Sequence, residues 1–96
     1  MVMKESVKRI QLSKDCVSPS EASDMIQSLI KENVNYYKLR RLSMVIGDEN
    51  ADTRFQDQQI NRLLMEKERL DDIIADAREQ GCDLYLKTTI EIARTR

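Results

Sequence analysis

The sequence predicts an α+β fold, mostly α-helical, with the element order β-α-α-β. Two long central segments carry apolar residues at helical spacing and are bounded by capping residues or glycine, whereas residues 83–93 alternate between apolar and polar side chains. Only 2 Gly and 1 Pro occur in the 96 residues, which argues against a turn-rich β-sandwich. The length predicts a single domain over residues 1–96.

The first predicted element is a strand over residues 6–12. One face would carry Lys8, Ile10 and Leu12, because successive side chains of a strand point to opposite faces. The alternation is imperfect, since a lysine shares the face of two apolar residues.

The first helix is predicted over residues 19–46. Ser18 and Glu21 can form a capping box around Pro19, which suits the first helical position, and Gly47 is a natural stop. Apolar residues form a stripe that flanking residues widen, so this helix is expected to face more than one neighbour. The heptad-like positions of the stripe, six of which are apolar or aromatic, are Ala22, Met25, Leu29, Glu32, Tyr36, Leu39, Ser43 and Ile46, and its flanks are Ile26, Ile30, Leu42 and Val45.

A second helix is predicted over residues 53–80, after a polar loop at 47–52. Thr53 and Gln56 offer another capping box, with Asp52 as the alternative cap. The short loop favours an antiparallel helical hairpin. Lys67 interrupts the apolar seam, either with its stem buried and its ammonium in water or as a determinant of register. The seam residues are Ile60, Leu63, Leu70, Ile74 and Ala77.

The last predicted element is a strand over residues 83–93, expected to pair antiparallel with the first strand at the open end of the hairpin. A two-stranded ribbon is marginal in water, and open sheet edges invite pairing. We therefore expect a homo-oligomer, most simply a dimer, formed through the sheet or through the helices. The residues predicted for packing or oligomer contacts are Leu29, Tyr36, Leu39, Leu63, Leu70, Ile74, Leu84, Leu86, Ile90 and Ile92.

No motif in the chain predicts a catalytic, cofactor-binding or metal-binding residue. His is absent, which removes the commonest general base and metal ligand. The loop that starts at Asp48 superficially resembles an EF-hand loop, but Thr53 stands where glycine is needed and Gln59 where the bidentate glutamate is needed. The sequence therefore predicts a polar hairpin loop and not a calcium site.

Three cations lie beside two tyrosines, and Lys38, Arg40 and Arg41 are possible nucleic-acid contacts. These residues span more than one helical turn, so they would point to different sides. The formal net charge is −1, which does not favour a nucleic-acid binder.

Cys16 and Cys82 lie just outside the two helices, so both are expected near the open end of the hairpin. The N-terminus lacks the apolar core of a signal peptide, and no apolar run is long enough for a membrane span. These features predict a cytoplasmic protein with reduced thiols, and a disulfide is the alternative.

The function predicted from these observations is that of a small non-enzymatic interaction or structural protein acting through an oligomerising helical hairpin. Another protein is a further candidate partner. A nucleic-acid-associated regulator using the basic ends and Arg40 and Arg41 is the alternative. A small ligand-binding protein or enzyme is the third interpretation.

Overall fold

The computed structural model describes residues 4–95; residues 1–3 and 96, which the single-domain prediction includes, lie outside the described residues. The elements are β1 (Lys4–Val17), α1 (Pro19–Gly47), α2 (Arg54–Gln80) and β2 (Leu84–Thr95). The predicted β-α-α-β order is confirmed, and so is the antiparallel pairing of the two strands. Both strands are longer than predicted, and most of the extra length lies in β1.

The start of α1 confirms the predicted capping box. The Glu21 backbone N–H donates to Ser18 Oγ at 3.2 Å, and the Ser18 backbone N–H donates to Glu21 Oε1 at the same distance. Pro19 is the first helical residue. Two of the polar groups exposed at the helix end are therefore paired, which stabilises the start of α1.

The second predicted capping box does not form. Thr53 precedes α2, but its side chain caps no backbone N–H; its hydroxyl donates instead to Asp57 Oδ2 at 3.1 Å. Asp52, the alternative cap, accepts the Arg54 backbone N–H at 3.1 Å. Gln56 is buried, and its Oε1 accepts no hydrogen bond, so the second half of the predicted box is also absent.

α2 ends at Gln80 and is followed by Gly81, whose φ of 69° places it in the left-handed region. This conformation lets the Cys82 backbone N–H donate to the carbonyl of Ala77 at 2.9 Å. Glycine suits the position because it lacks the Cβ that disfavours positive φ.

The hairpin core lies between α1 and α2. Ile30 and Val34 of α1 pack with Ile60 of α2, and all three side chains are buried. Partly buried neighbours extend this cluster along both helices, namely Ile26, Tyr37, Leu63 and Leu70. On α1 the interface is thus formed by Ile26 and Ile30, which flank the predicted stripe, and by two residues outside the stripe and its flanks, Val34 and Tyr37.

β1 and β2 form a two-stranded antiparallel sheet. Ile10 is opposite Ile90, Gln11 is opposite Thr89 and Ser13 is opposite Thr88, so Leu12 is an extra residue in β1. A second irregularity lies between Lys4 and Val7. Each places the additional residue in β1, while β2 runs without interruption.

The molecule is extended, with principal dimensions of 51 × 32 × 17 Å. Its radius of gyration is 16.9 Å, well above the roughly 13 Å typical of a compact chain of this length. Each strand contacts α1, and neither makes a comparable contact with α2. The sheet and the helical hairpin therefore bury little of each other's surface.

Candidate interaction surface

The outer face of α1 is the side of that helix turned away from α2. Tyr36 is 56% exposed and Leu39 is 67% exposed. Given the 100° step between successive residues, Leu39 lies about half a turn around the helix from the buried Ile30, and Tyr36 lies about a third of a turn from it. Other large apolar residues on this outer face are also exposed, namely Met25, Leu29, Leu42 and Ile46.

The inner face of the sheet is the side turned toward α1. On β2, Leu84, Leu86 and Thr88 are half-buried, whereas the residues between them are exposed. Ile90 and Ile92 continue the same face but are exposed, because residues two apart on a strand share a face. The inner face is thus covered near the hairpin and uncovered toward the end of β2.

A groove of about 460 Å³ lies where the outer face of α1 meets the inner face of the sheet. Met25 and Leu29 line it from α1, and Leu12 and Thr88 line it from the sheet. The extra residue in β1 therefore contributes its side chain to the groove. Leu12, Met25 and Leu29 are all exposed, so this apolar surface is open to solvent in the single chain.

The structure divides the residues predicted for packing or oligomer contacts into three groups. Leu63, Leu70 and Ile74 face α1 in the hairpin, where Ile74 is buried and the two leucines are partly buried. Leu84 and Leu86 are half-buried on the inner face of the sheet. The remaining five are exposed: Leu29, Tyr36, Leu39, Ile90 and Ile92.

Two residues of the hairpin core, Val34 and Tyr37, are absent from the stripe, the flanks and the seam that the sequence predicts. They continue the spacing of Ile26 and Ile30 along α1, so a second, parallel apolar pattern was present in the sequence. Tyr37 also contacts two aromatic rings edge-on, with centroids at 5.0 Å from Tyr36 and 6.3 Å from Phe55.

The cations predicted as possible nucleic-acid contacts do not form one patch. Arg41 Nη1 lies 2.8 Å from Asp57 Oδ1, so its charge is engaged in the hairpin. Lys38 lines a shallow groove between the helices, while Arg40 is exposed outside that groove. The three side chains therefore point in different directions, as their spacing predicts.

The shallow groove between the helices is mixed in chemistry. Lys31, Lys38 and Lys67 line it together with Asp24, over a floor that includes Ile30. The Lys67 ammonium is bound by Asp71 at 3.0 Å, one turn further along α2. Lys67 is half-buried, which fits a lysine whose stem lies on the interface and whose charge reaches a surface partner.

The hairpin loop is organised by ion pairs. The Arg54 guanidinium holds Asp52 and lowers the pKa of that carboxyl, and Asp52 raises the pKa of Arg54 in turn. Hydrogen bonding from Arg41 lowers the pKa of Asp57. No cluster of three or more potential metal ligands occurs among residues 4–95.

Cys16 and Cys82 are both exposed and unpaired, so the alternative of a disulfide between them is wrong. Within the described part of the chain, neither helix is long and apolar enough to cross a membrane.

Comparisons with family models, with curated proteins and with solved structures found no match to this chain.

Proposed function

We propose that this chain is a small non-enzymatic interaction protein that works as a homodimer. The proposal is supported above all by one observation, the exposed apolar residues on the outer face of α1 and on the inner face of the sheet, which meet in the groove lined by Leu12, Met25 and Leu29. Soluble monomers rarely leave a large apolar surface uncovered, and such surfaces usually mark an interaction site.

The shape of the chain supports the same proposal. The sheet has only two strands, and α1 covers just part of its inner face. A ribbon of this kind gains stability when further strands or helices cover it. A second copy supplies both, with the same exposed apolar side chains on its own surface.

The proposal assigns no reaction to the chain. The carboxyls whose pKa is lowered, Asp52 and Asp57, are held by arginines in the hairpin loop, where they stabilise local structure. We also propose a cytoplasmic location, because two exposed thiols fit a reducing compartment.

The test is the mass of the protein in solution as a function of concentration, measured by light scattering. We expect a dimer at micromolar concentration and dissociation on dilution. Ile90→Lys places a charge on the inner face of the sheet and should shift the mass toward the monomer. A wild-type protein that stays monomeric at high concentration, with the helical signal of a folded chain, would contradict the proposal.

Val7→Lys is the matched control for this test. Val7 is 43% exposed and Ile90 is 42% exposed, so both substitutions affect side chains of similar burial. Val7 is opposite Ala93, which places it on the outer face of the sheet. Its substitution should leave the dimer intact, and equal dissociation of both variants would mean that the inner face is not the interface.

A further inference from the structure

The uninterrupted edge of β2 offers a specific way to form the dimer. β1 carries both irregularities of the sheet and the lysines Lys8 and Lys14, and bulges and lysines are features that discourage pairing at an edge. β2 also carries a lysine, Lys87, but its backbone runs through twelve residues without a bulge. Of the two strands, β2 is the better template for another strand.

We infer that two copies of the chain join through antiparallel pairing of their β2 strands, with Thr89 opposite the partner's Thr89. The result is a four-stranded antiparallel sheet with β1 at each outer edge. This inference rests on the proposed function, because it specifies how the proposed homodimer forms.

Charge complementarity selects this register. It places Lys87 opposite the partner's Glu91 and, by symmetry, Glu91 opposite the partner's Lys87. Opposite charges at facing positions stabilise a sheet. Within the single chain Lys87 is opposite Lys14, a pairing of like charges, so β1 offers no acidic side chain directly opposite Lys87.

Apolar pairing is compatible with the same register. It places Leu86 opposite the partner's Ile92 and Thr88 opposite the partner's Ile90. A register shifted by two residues, with Ile90 opposite the partner's Ile90, would place Lys87 opposite the partner's Ala93. A shift by two residues in the other direction, centred on Thr88, would place Leu86 opposite the partner's Ile90 but Lys87 opposite the partner's Thr89. The opposite charges of Lys87 and Glu91 therefore decide between these registers.

The same register accounts for the uneven burial of the inner face. Leu86 and Thr88 are half-buried beside α1, whereas Ile90 and Ile92 are exposed. Antiparallel pairing centred on Thr89 places the exposed half of β2 beside the covered half of the partner's strand. Helix α1 of each copy then lies next to the uncovered inner face of the other.

Disulfide trapping tests the pairing directly. In a background of Cys16→Ser and Cys82→Ser, Thr89→Cys should form a covalent dimer on mild oxidation. Facing residues of antiparallel strands have Cα atoms about 4.5–5.5 Å apart, within the range that a disulfide spans. Gln11→Cys is the matched control. Gln11 lies in β1 opposite Thr89 of the same chain, and β1 is the outer strand of the proposed sheet.

Charge reversal tests the register. Within one chain, Lys87→Glu places a carboxylate opposite Lys14 where two lysines faced each other. The folded chain should therefore be at least as stable as the wild type. In the dimer the new carboxylate would face the partner's Glu91 at two symmetric places, and the dissociation constant should rise roughly tenfold. Adding Glu91→Lys should restore most of the affinity. This second change also removes the ion pair that Glu91 forms with Arg9 of its own chain at 3.3 Å, so the fold of each variant is checked by circular dichroism. Lys14→Glu alone should leave the affinity unchanged.

The possible outcomes separate this inference from the proposed function. A covalent dimer of Thr89→Cys together with rescue by the double charge reversal supports the inference. A dimeric wild-type protein that is trapped through Gln11→Cys, or through neither cysteine, overturns the β2 interface and leaves the proposed homodimer standing. An unchanged or tighter dimer for Lys87→Glu also overturns it. A monomeric wild-type protein overturns both.

Discussion

Arg41 Nη1 lies 2.8 Å from Asp57 Oδ1 and so joins the end of α1 to the first turn of α2. Thr53 donates to the second oxygen of the same carboxylate at 3.1 Å. The carboxylate of Asp57 in α2 therefore accepts hydrogen bonds from one residue of α1 and from one residue just before α2. This arrangement closes the hairpin loop and also explains why Arg41 is engaged within the chain.

Asp57→Asn should make the protein less stable at neutral pH and should have no such effect in acid. The pKa of Asp57 is lowered in the folded chain, chiefly by its hydrogen bond with Arg41. Because the pKa is lower in the folded chain, the charged carboxylate stabilises the protein at any pH above the ordinary aspartate pKa of about 3.9. This stabilisation is lost as the pH falls through the folded pKa. The melting temperatures of wild type and variant should therefore converge below about pH 3.9.

Glu68→Gln is the control for this titration. Glu68 lies on the exposed part of α2, so its substitution removes a carboxylate without touching the loop. Its melting temperature should follow that of the wild type at each pH. A constant difference between Asp57→Asn and the wild type from neutral pH to acid would contradict the role assigned to the ion pair.

Ser18→Ala should lower the free energy of unfolding by about 1 kcal/mol, because the backbone N–H of Glu21 loses its acceptor. Ser20→Ala is the matched control, since Ser20 is an exposed residue of the same helical turn. Urea unfolding followed by circular dichroism measures both changes. Equal stability of the two variants would mean that the capping box contributes nothing.

Gly81→Ala should destabilise the protein by about 1–2 kcal/mol, the cost of a left-handed conformation for a residue with a Cβ. Gly47→Ala should have the opposite sign and stabilise the protein by up to about 1 kcal/mol, since alanine is the better helix former. Gly47 is the last residue of α1, and a Cβ there would meet nothing within 4 Å. Equal melting temperatures of these two variants would contradict the conformational argument.

The helices could be predicted because their signals are local. Ser18, Pro19 and Gly81 mark helix ends through the chemistry of a few neighbouring residues. The face of α1 that packs on α2 could not be predicted in this way, because α1 has apolar side chains on two faces. Ile30 is buried and Leu29 is exposed, and only the position of the other helix decides between them.

The length of β1 could not be predicted, because Leu12 is an extra residue that shifts the alternation. Before it, Ile10 shares a face with Ile90; after it, Ser13 and Val17 share that face with Thr88 and Leu84. The residues of β1 that lie on this face therefore have even numbers before Leu12 and odd numbers after it. A strand interrupted in this way loses the period of two that marks strands in a sequence.

Two neighbouring residues of α1 can separate the stability of the single chain from that of the proposed dimer. Ile30 is buried in the hairpin core and Leu29 lines the groove between α1 and the sheet. Ile30→Ala should cost about 2–5 kcal/mol at every protein concentration, because it leaves a cavity inside the folded chain. Leu29→Ala should cost little in dilute solution, where its side chain is 47% exposed.

Leu29→Ala should become destabilising as the protein concentration rises, because association stabilises the folded chain only when the interface is intact. Thermal unfolding over a hundredfold range of concentration measures this difference. The melting temperature of the wild type should rise with concentration, that of Leu29→Ala should rise less, and that of Ile30→Ala should rise from a lower starting value. A Leu29→Ala protein that is equally destabilised at all concentrations would place Leu29 in the core of the single chain, and the apolar groove would then belong to folding and not to association.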